Sequence, residues 1–474
     1  MTGMTSFGPG GFPFRRAGVM PIPNRVAVWM CVWVLCVGMQ ARAGTDSLEW
    51  QLPSNLAEAR AQALDDDDLA CGPAVLERRQ LVGDIFEYSY RVRVGLGAHD
   101  FITLHRVARE VAPGMPARAP KSVFLVHGDV LGFRGAFLAS TASGAVPREQ
   151  SLAIFLAQRG VDVWGIDLRW VNVPAGTTDF SFMKDWNLGL HARDVGTGMM
   201  QARRVRACGG NGVGRMALLG WSRGATISYA YLNAETRLEP EKRQVSGFIP
   251  VDMAYALAPE HTAERQAACQ TLAGLSQLQA SGQYEGGQVG ALLQLLGSLA
   301  IAAPDAGSPI PPLAGLSNRQ AGLLMGSATY ALQNPPILPV YHWTGGQFAS
   351  GVPSALSWTR ERFFFDALVQ ASPYQSLGEQ VDTLAMWCGV PGVPYDDYLH
   401  EVKVPVLYVG AAGGTGRHGL YSLGLLGSRD VRQLVVQRMA DAGRALDYGH
   451  ADLLMADDAP AAVWTPVLDW LRQH

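Results

Sequence analysis

The sequence lacks a basic excess, lacks any C-x-x-C pair, and its leading apolar run is too short to cross a bilayer. Lysine and arginine total 38 against 41 acids, a formal net charge of −3, so no electrostatic footprint points to nucleic acid. Six cysteines without C-x-x-C spacing argue against metal or redox chemistry at cysteine. The run Val26 to Met39 has 14 residues, whereas a membrane-spanning helix needs roughly 20. What remains is a globular chain of 474 residues, 48% hydrophobic and 17% charged, long enough for one large domain with insertions. No internal repeat is visible.

That apolar run has a different meaning. Arg15, Arg16 and Arg25 precede it, and Ala41-Arg42-Ala43 follows as a small-x-small cleavage site. This is the layout of a secretory signal peptide over 1–43, with a mature start near Gly44. Met20 is an alternative initiator. Cys36 follows Leu35, not a small residue, which speaks against a lipoprotein anchor. Cleavage removes four arginines and no acids, leaving a net charge of −7. A secreted or periplasmic protein with no stable membrane span is expected. Cys71, Cys208, Cys269 and Cys388 remain in an oxidising compartment. Three connectivities are open, and the preferred pair is Cys269 with Cys388, within one inserted region.

Residues 44–84 read as an N-terminal extension. Asp65 to Asp68 is a run of four acids without the spacing of a calcium loop. Ile85 to Val94 and Phe101 to Val107 read as a hairpin broken at Gly95-Leu96-Gly97. Strands at 122–126, 161–167, 216–219 and 245–251 then alternate with helical stretches near 147–159 and 186–207, and with a helix after residue 222. This is the rhythm of β-α units, so an α/β fold with a mostly parallel sheet is expected over 85–255. From 256 to 400 the alternation stops, and Leu/Ala/Gln-rich stretches broken by proline suggest a large, mainly helical inserted cap. The sheet resumes with strands at 404–410 and 431–436, and 401–474 ends in a helix.

One stretch carries chemistry. Met216 to Leu219 is a buried-strand run, and Gly220-Trp221-Ser222-Arg223-Gly224 matches G-x-S-x-G before a helical segment. Strand, sharp turn and helix form a nucleophile elbow that lifts the Ser222 hydroxyl clear of the sheet. Serine needs a base, and the base an acid, in the chain order Ser, acid, His. Among 10 histidines, His450 is the candidate base, in a loop between the last strand and the final helix. His418 is the rival, and His127 is expected to be positional. The loop after the 404–410 strand is the usual place for the acid, yet it has no carboxylate before Asp430. Asp252, at the end of the 245–251 strand, keeps the order and is the candidate acid, with Asp430 as the alternate. The oxyanion would meet the backbone N–H of Arg223 and that of Asp129, after His127-Gly128. No metal and no cofactor are expected.

Val123 to Asp129, Leu156 to Trp164, the Ser222 elbow and Gly449-His450-Ala451-Asp452 together resemble the α/β-hydrolase superfamily. They are similar to its branch of acid and gastric lipases, esterases and related capped hydrolases. The likeness covers about 85–255 and 401–474, not the cap. It implies serine hydrolase chemistry through an acyl-enzyme. The absent acid after the 404–410 strand departs from the commonest pattern, although some members place it where Asp252 stands. Trp343, Phe348, Trp358, Phe363, Phe364, Phe365 and Trp387 either line an apolar acyl or aromatic pocket or form the cap's own core. The leading expectation is a small-molecule carboxylic ester with an apolar acyl or aromatic group as substrate. The alternatives are an inactive hydrolase fold used for binding, and an amidase or peptidase on the same triad.

Overall fold

The computed structural model describes residues 71–474. The expected signal peptide and the acids Asp65 to Asp68 lie outside them. Nine strands run across one sheet: β1 (Val75–Val82), β2 (Ile85–Arg93), β3 (Phe101–Ala112), β5 (Lys121–Val126), β6 (Val161–Asp167), β7 (Met216–Trp221), β8 (Val245–Val251), β11 (Val406–Ala411) and β12 (Val431–Val436). Their order is β1-β2-β3-β6-β5-β7-β8-β11-β12, and a short β4 (Met115–Pro116) folds back on β3. The six strands from β6 to β12 along that order are mutually parallel, and β1 to β3 join antiparallel. The strands are apolar because both faces are covered. Val123 and Leu125 of β5 face one core, and Phe124 and Val126 face the other. Each fully buried side chain of this kind contributes roughly 1.5–3 kcal/mol.

The chain leaves β5, adds β6 on one side, then returns to add β7 on the other. Between β5 and β7 the winding reverses. In open α/β sheets such a reversal leaves a crevice at the carboxyl ends of the strands, where ligands bind. Helices cover both faces, among them Leu152–Gln158, Leu188–Cys208, Arg223–Glu235 and Thr465–Gln473. The Asn187 side chain caps the second of these by accepting from Leu190 N–H at 2.9 Å.

Two boundaries differ from the sequence reading. The sheet begins at Val75, inside the stretch read as an extension, because β1 pairs along β2 in antiparallel register. The helix expected from 147 begins at Leu152, after a turn closed by Gln150 N–H to Pro147 O. Between 256 and 400 the described residues form five α-helices, Thr262–Ala280, Val289–Ala302, Asn318–Ser327, Glu361–Val369 and Leu377–Cys388, plus a hairpin of β9 (Gly346–Ala349) and β10 (Val352–Leu356). The segment does not stand apart. Leu293 and Leu296, and Phe363 to Leu368 apart from Asp366, join the same buried cluster as strand residues Leu219 and Val409. Cys269 pairs with Cys388, and Cys71 with Cys208. Among the described residues no helix is long and apolar enough to cross a membrane.

Candidate active site

The elbow follows from two close approaches. A Cβ on Gly220 would lie 2.4 Å from Gly224 O, and one on Gly224 would lie 2.1 Å from Val126 O. Only glycine lets the strand end, the turn and the following helix pass this closely. Between them Ser222 takes φ 57° and ψ −131°, a strained conformation for a non-glycine residue that the surrounding structure has to hold. Its N–H donates to Val251 O at 2.9 Å, and its carbonyl accepts from Ala225 N–H at 2.8 Å. Ser222 is partly exposed.

The neighbouring strand supplies the carboxylate. β8 lies beside β7 with Val251 opposite Trp221, so Asp252 leaves the sheet next to Ser222. Asp252 is fully buried and also has positive φ, 48°. Its Oδ1 accepts from the N–H of Ala411 at 2.8 Å and of Gly416 at 2.9 Å, and its Oδ2 from Thr415 N–H at 3.1 Å. All three donors come from the end of β11 and the loop after it. That loop is empty of carboxylates in the sequence, and its backbone grips one brought from the next strand.

His450 completes the contact. Its Nδ1 lies 2.7 Å from Asp252 Oδ2, with both residues buried. The imidazole stacks on Trp221, with ring centroids 4.9 Å apart, and Tyr341 lies on it at 5.3 Å. Trp221 Nε1–H also donates to His450 O at 3.4 Å. The residue just before the serine is thereby tied to the histidine. His450 N–H donates to His342 O at 3.0 Å, and Ala451 N–H to Trp343 O at 2.6 Å. Beneath the loop, Asp452 accepts from Gly449 N–H and Gly345 N–H, each at 2.7 Å, and from the Thr359 hydroxyl at 2.6 Å. Burial pushes the Asp452 carboxyl up to about 7, with those donors pulling the other way.

On the β5 side, a Cβ on Gly128 would sit 2.6 Å from Ser222 Cβ and 3.1 Å from Oγ. The next residue, Asp129, forms a two-pronged ion pair with Arg223, Oδ1 to Nε at 2.5 Å and Oδ2 to Nη2 at 2.9 Å. The two residues expected to present N–H groups to an oxyanion are thus locked together through their side chains. Arg223 opens its helix, where an N–H has no intrahelical acceptor, and neither N–H bonds to a backbone carbonyl among the described residues. His127 is fully buried, its Nδ1–H donates to Gly128 O at 2.9 Å, and its Nε2 accepts from Leu168 N–H at 3.1 Å. Burial lowers its basicity. The neutral ring fixes the turn.

The two rival residues lie elsewhere. Asp430 precedes β12, and its carbonyl binds Val406 N–H at the start of β11, the opposite end of that strand from the Asp252 loop. Its carboxylate meets His474 at 2.9 Å. His418 meets His261, Nδ1 to Nδ1 at 2.7 Å, and burial with that neighbour lowers it to about 4.

Sequence reasoning missed a buttress from the helix Leu377–Cys388 and the residues before it. Gln375 donates to Asp129 and to Glu379. The Thr383 hydroxyl accepts from Arg223 Nη1 at 2.5 Å, and Glu379 meets buried His191. The aromatic residues of 343–387 resolve mostly as core. Phe363, Phe364, Phe365 and Trp343 are buried, Phe348 and Trp358 pack against the same cluster, and Trp387 donates to Ala254 O at 2.7 Å. Two clefts, about 320 Å³ beside Arg215 and Lys403 and about 530 Å³ beside Asp179 and Tyr284, do not include Ser222 or His450.

No protein-family model matches the chain, and no curated protein matches its sequence. Solved structures do. A candidate lipase from Sulfolobus solfataricus superposes with a TM-score of 0.55 at 18% identity, covering 85% of this chain and 97% of that one. A soluble variant of monoglyceride lipase from Saccharomyces cerevisiae gives 0.42 at 13% identity over 85% and 96% of the two chains. An epoxide hydrolase from Vigna radiata gives 0.42 at 14% over 84% and 100%. The first of these, with the strand order above, shows that the chain has the α/β-hydrolase fold. Because a fold hosts many activities, the chemistry has to be argued from the site.

Proposed function

We propose that the chain is an exported serine hydrolase that cleaves carboxylic esters through an acyl-enzyme on Ser222. The observation that carries this reading is the 2.7 Å contact between His450 Nδ1 and Asp252 Oδ2, beside a serine of positive φ at the tip of β7. Asp252 holds the ring with Nδ1 protonated, which leaves Nε2 free to serve as the base. His450 takes the proton of the Ser222 hydroxyl as Oγ attacks the ester carbonyl. The oxyanion is met by the N–H groups of Asp129 and Arg223, where loss of one donor typically costs about 2.7–4 kcal/mol. His450 then passes the proton to the leaving alcohol and activates water against the acyl-enzyme. Among the described residues the Ser222 hydroxyl forms no hydrogen bond. Such contacts are often loose before substrate binds and tighten in the complex.

Export is supported by the two disulfides, which persist in oxidising compartments. The expected preference for an apolar acyl group is weakened by the burial of Phe363 to Phe365, and rests on Tyr341 beside the imidazole. The sole sequence feature favouring an inactive binding protein was the missing acid, and the Asp252 contact speaks against it. The test is turnover of a panel of p-nitrophenyl esters and matching amides by the full chain and by Ser222→Ala. Ester turnover lost in the variant supports the proposal. Amide turnover without ester turnover would move the assignment to an amidase, and turnover unchanged in Ser222→Ala would end it.

A further inference from the structure

Outside the Ser222 site, three metal-ligating side chains converge. His261 stands at the N-cap of the helix Thr262–Ala280, and Glu264 lies in its first turn. His418 opens the short helix His418–Leu423 that follows the Asp252-binding loop. One ligand atom from each lies within 4.8 Å of the others, and all three residues are half-buried. The two Nδ1 atoms face each other at 2.7 Å with their rings nearly perpendicular, at 83°. Among the described residues no arginine or lysine forms a salt bridge with Glu264. Two imidazole Nδ1 atoms, one donating its proton to the other, and a carboxylate therefore converge on one spot.

We propose that His261, Glu264 and His418 bind one divalent transition-metal ion of the zinc class, with solvent as fourth ligand. Two nitrogens and one oxygen suit zinc, cobalt or nickel, and calcium or magnesium would want oxygen throughout. Around a tetrahedral ion with bonds near 2.0 Å, ligand atoms stand about 3.3 Å apart, so the rings need part by only about half an ångström. The ion joins two segments already in contact. Ser422 Oγ accepts from the N–H of Tyr255 at 2.8 Å and of Ala256 at 3.2 Å, and His418 N–H donates to Thr415 O at 3.1 Å. Thr415 and Gly416 are two of the three residues whose N–H groups hold the Asp252 carboxylate. The metal thus acts as a clip between the start of the 256–400 segment and the loop that grips Asp252, and takes no part in the ester chemistry.

The experiment is titration of the untagged full chain, stripped with chelator, with Zn²⁺ by calorimetry and with Co²⁺ by visible absorption. The expected result is one equivalent per chain, the d–d bands of a tetrahedral cobalt site, and a rise in Tm on adding Zn²⁺. Binding should be lost in His261→Ala and His418→Ala. In Glu264→Gln, a near-isosteric change on a half-buried residue, it should weaken at least about tenfold, no less than for loss of an outer-shell partner. Ser222→Ala should bind as tightly as the unchanged chain, which separates this proposal from the hydrolase reading. Binding below one equivalent, or binding that is unaffected by His418→Ala and Glu264→Gln, would overturn it.

Discussion

Asp252 and His450 stand 198 residues apart in the chain and meet at 2.7 Å, carboxylate oxygen to imidazole Nδ1. The contact exists because β8 and β7 are neighbours and because the loop after β11 turns its backbone N–H groups onto the carboxylate. The carboxylate is thus supplied by one strand and held by the loop of another. This arrangement separates the two candidate acids in a way that kinetics can read.

Asp252→Asn should lower kcat by about 10⁴, because an amide facing Nδ1 favours the wrong tautomer of the base. Asp430→Asn should leave kcat within about twofold, since that carboxylate meets His474 at the far end of β11. Parallel ester assays with circular dichroism as a folding control check both. Equal losses in the two variants would remove Asp252 from its assigned role.

Asp452 supports the His450 loop without being needed as a charge. Its folded-state pKa is raised to about 7, so the stability tied to its neutral form is present below the ordinary 3.8 and is lost as pH rises through 7. In Asp452→Asn one oxygen still accepts from Gly345 and Gly449, and the amide donates to Thr359. Its Tm at pH 8 should match or exceed that of the unchanged chain. Asp452→Ala leaves two buried N–H groups unpaired and should cost roughly 2–4 kcal/mol, with a fall in kcat. Thermal melts at pH 8 compare the three.

A second pH effect comes from His105, fully buried between Glu87 at 2.8 Å and Asp167 at 2.9 Å. Burial opposes its charge, but Asp167 and Glu87 outweigh burial and raise it to about 9. Its contribution is present in full below the ordinary 6.5 and is lost as pH rises through 9, up to about 3 kcal/mol. Arg134 also bonds Glu87, so that carboxylate stays paired throughout. Tm should fall between pH 7 and pH 10, and His105→Gln should flatten that slope. An unchanged slope in the variant would contradict the assignment.

Asp129→Ala keeps the backbone N–H but frees Arg223 and Gln375. Misplacing an oxyanion donor by a fraction of an ångström should lower kcat about 10- to 100-fold with little change in KM. Steady-state kinetics on a soluble ester give both constants.

How much of this could be read from the sequence depended on whether the signal was local. The run 161–167 became β6, and the glycines around Ser222 announced the elbow, because strand periodicity and close backbone approach are written in adjacent residues. β1 was missed because Arg78, Arg79 and Gln80 sit on an exposed edge strand, so no apolar alternation marks it. The contacts of Gln375 and Thr383 to the Asp129–Arg223 pair join residues some 160 to 246 positions apart, and no motif encodes them. Phe363, Phe364 and Phe365 read equally well as pocket or core, since composition does not say which way a helix faces. The missing carboxylate after β11 was visible, and its physical answer, a backbone loop gripping Asp252, was not.

The most direct test of the central claim is fluorophosphonate labelling of the folded full chain, read by intact mass and by peptide mapping. One label per chain on Ser222 is expected, absent in Ser222→Ala and slowed by roughly 10³-fold or more in His450→Gln. Folded protein that stays unlabelled, or that carries the label on another residue, would contradict the account.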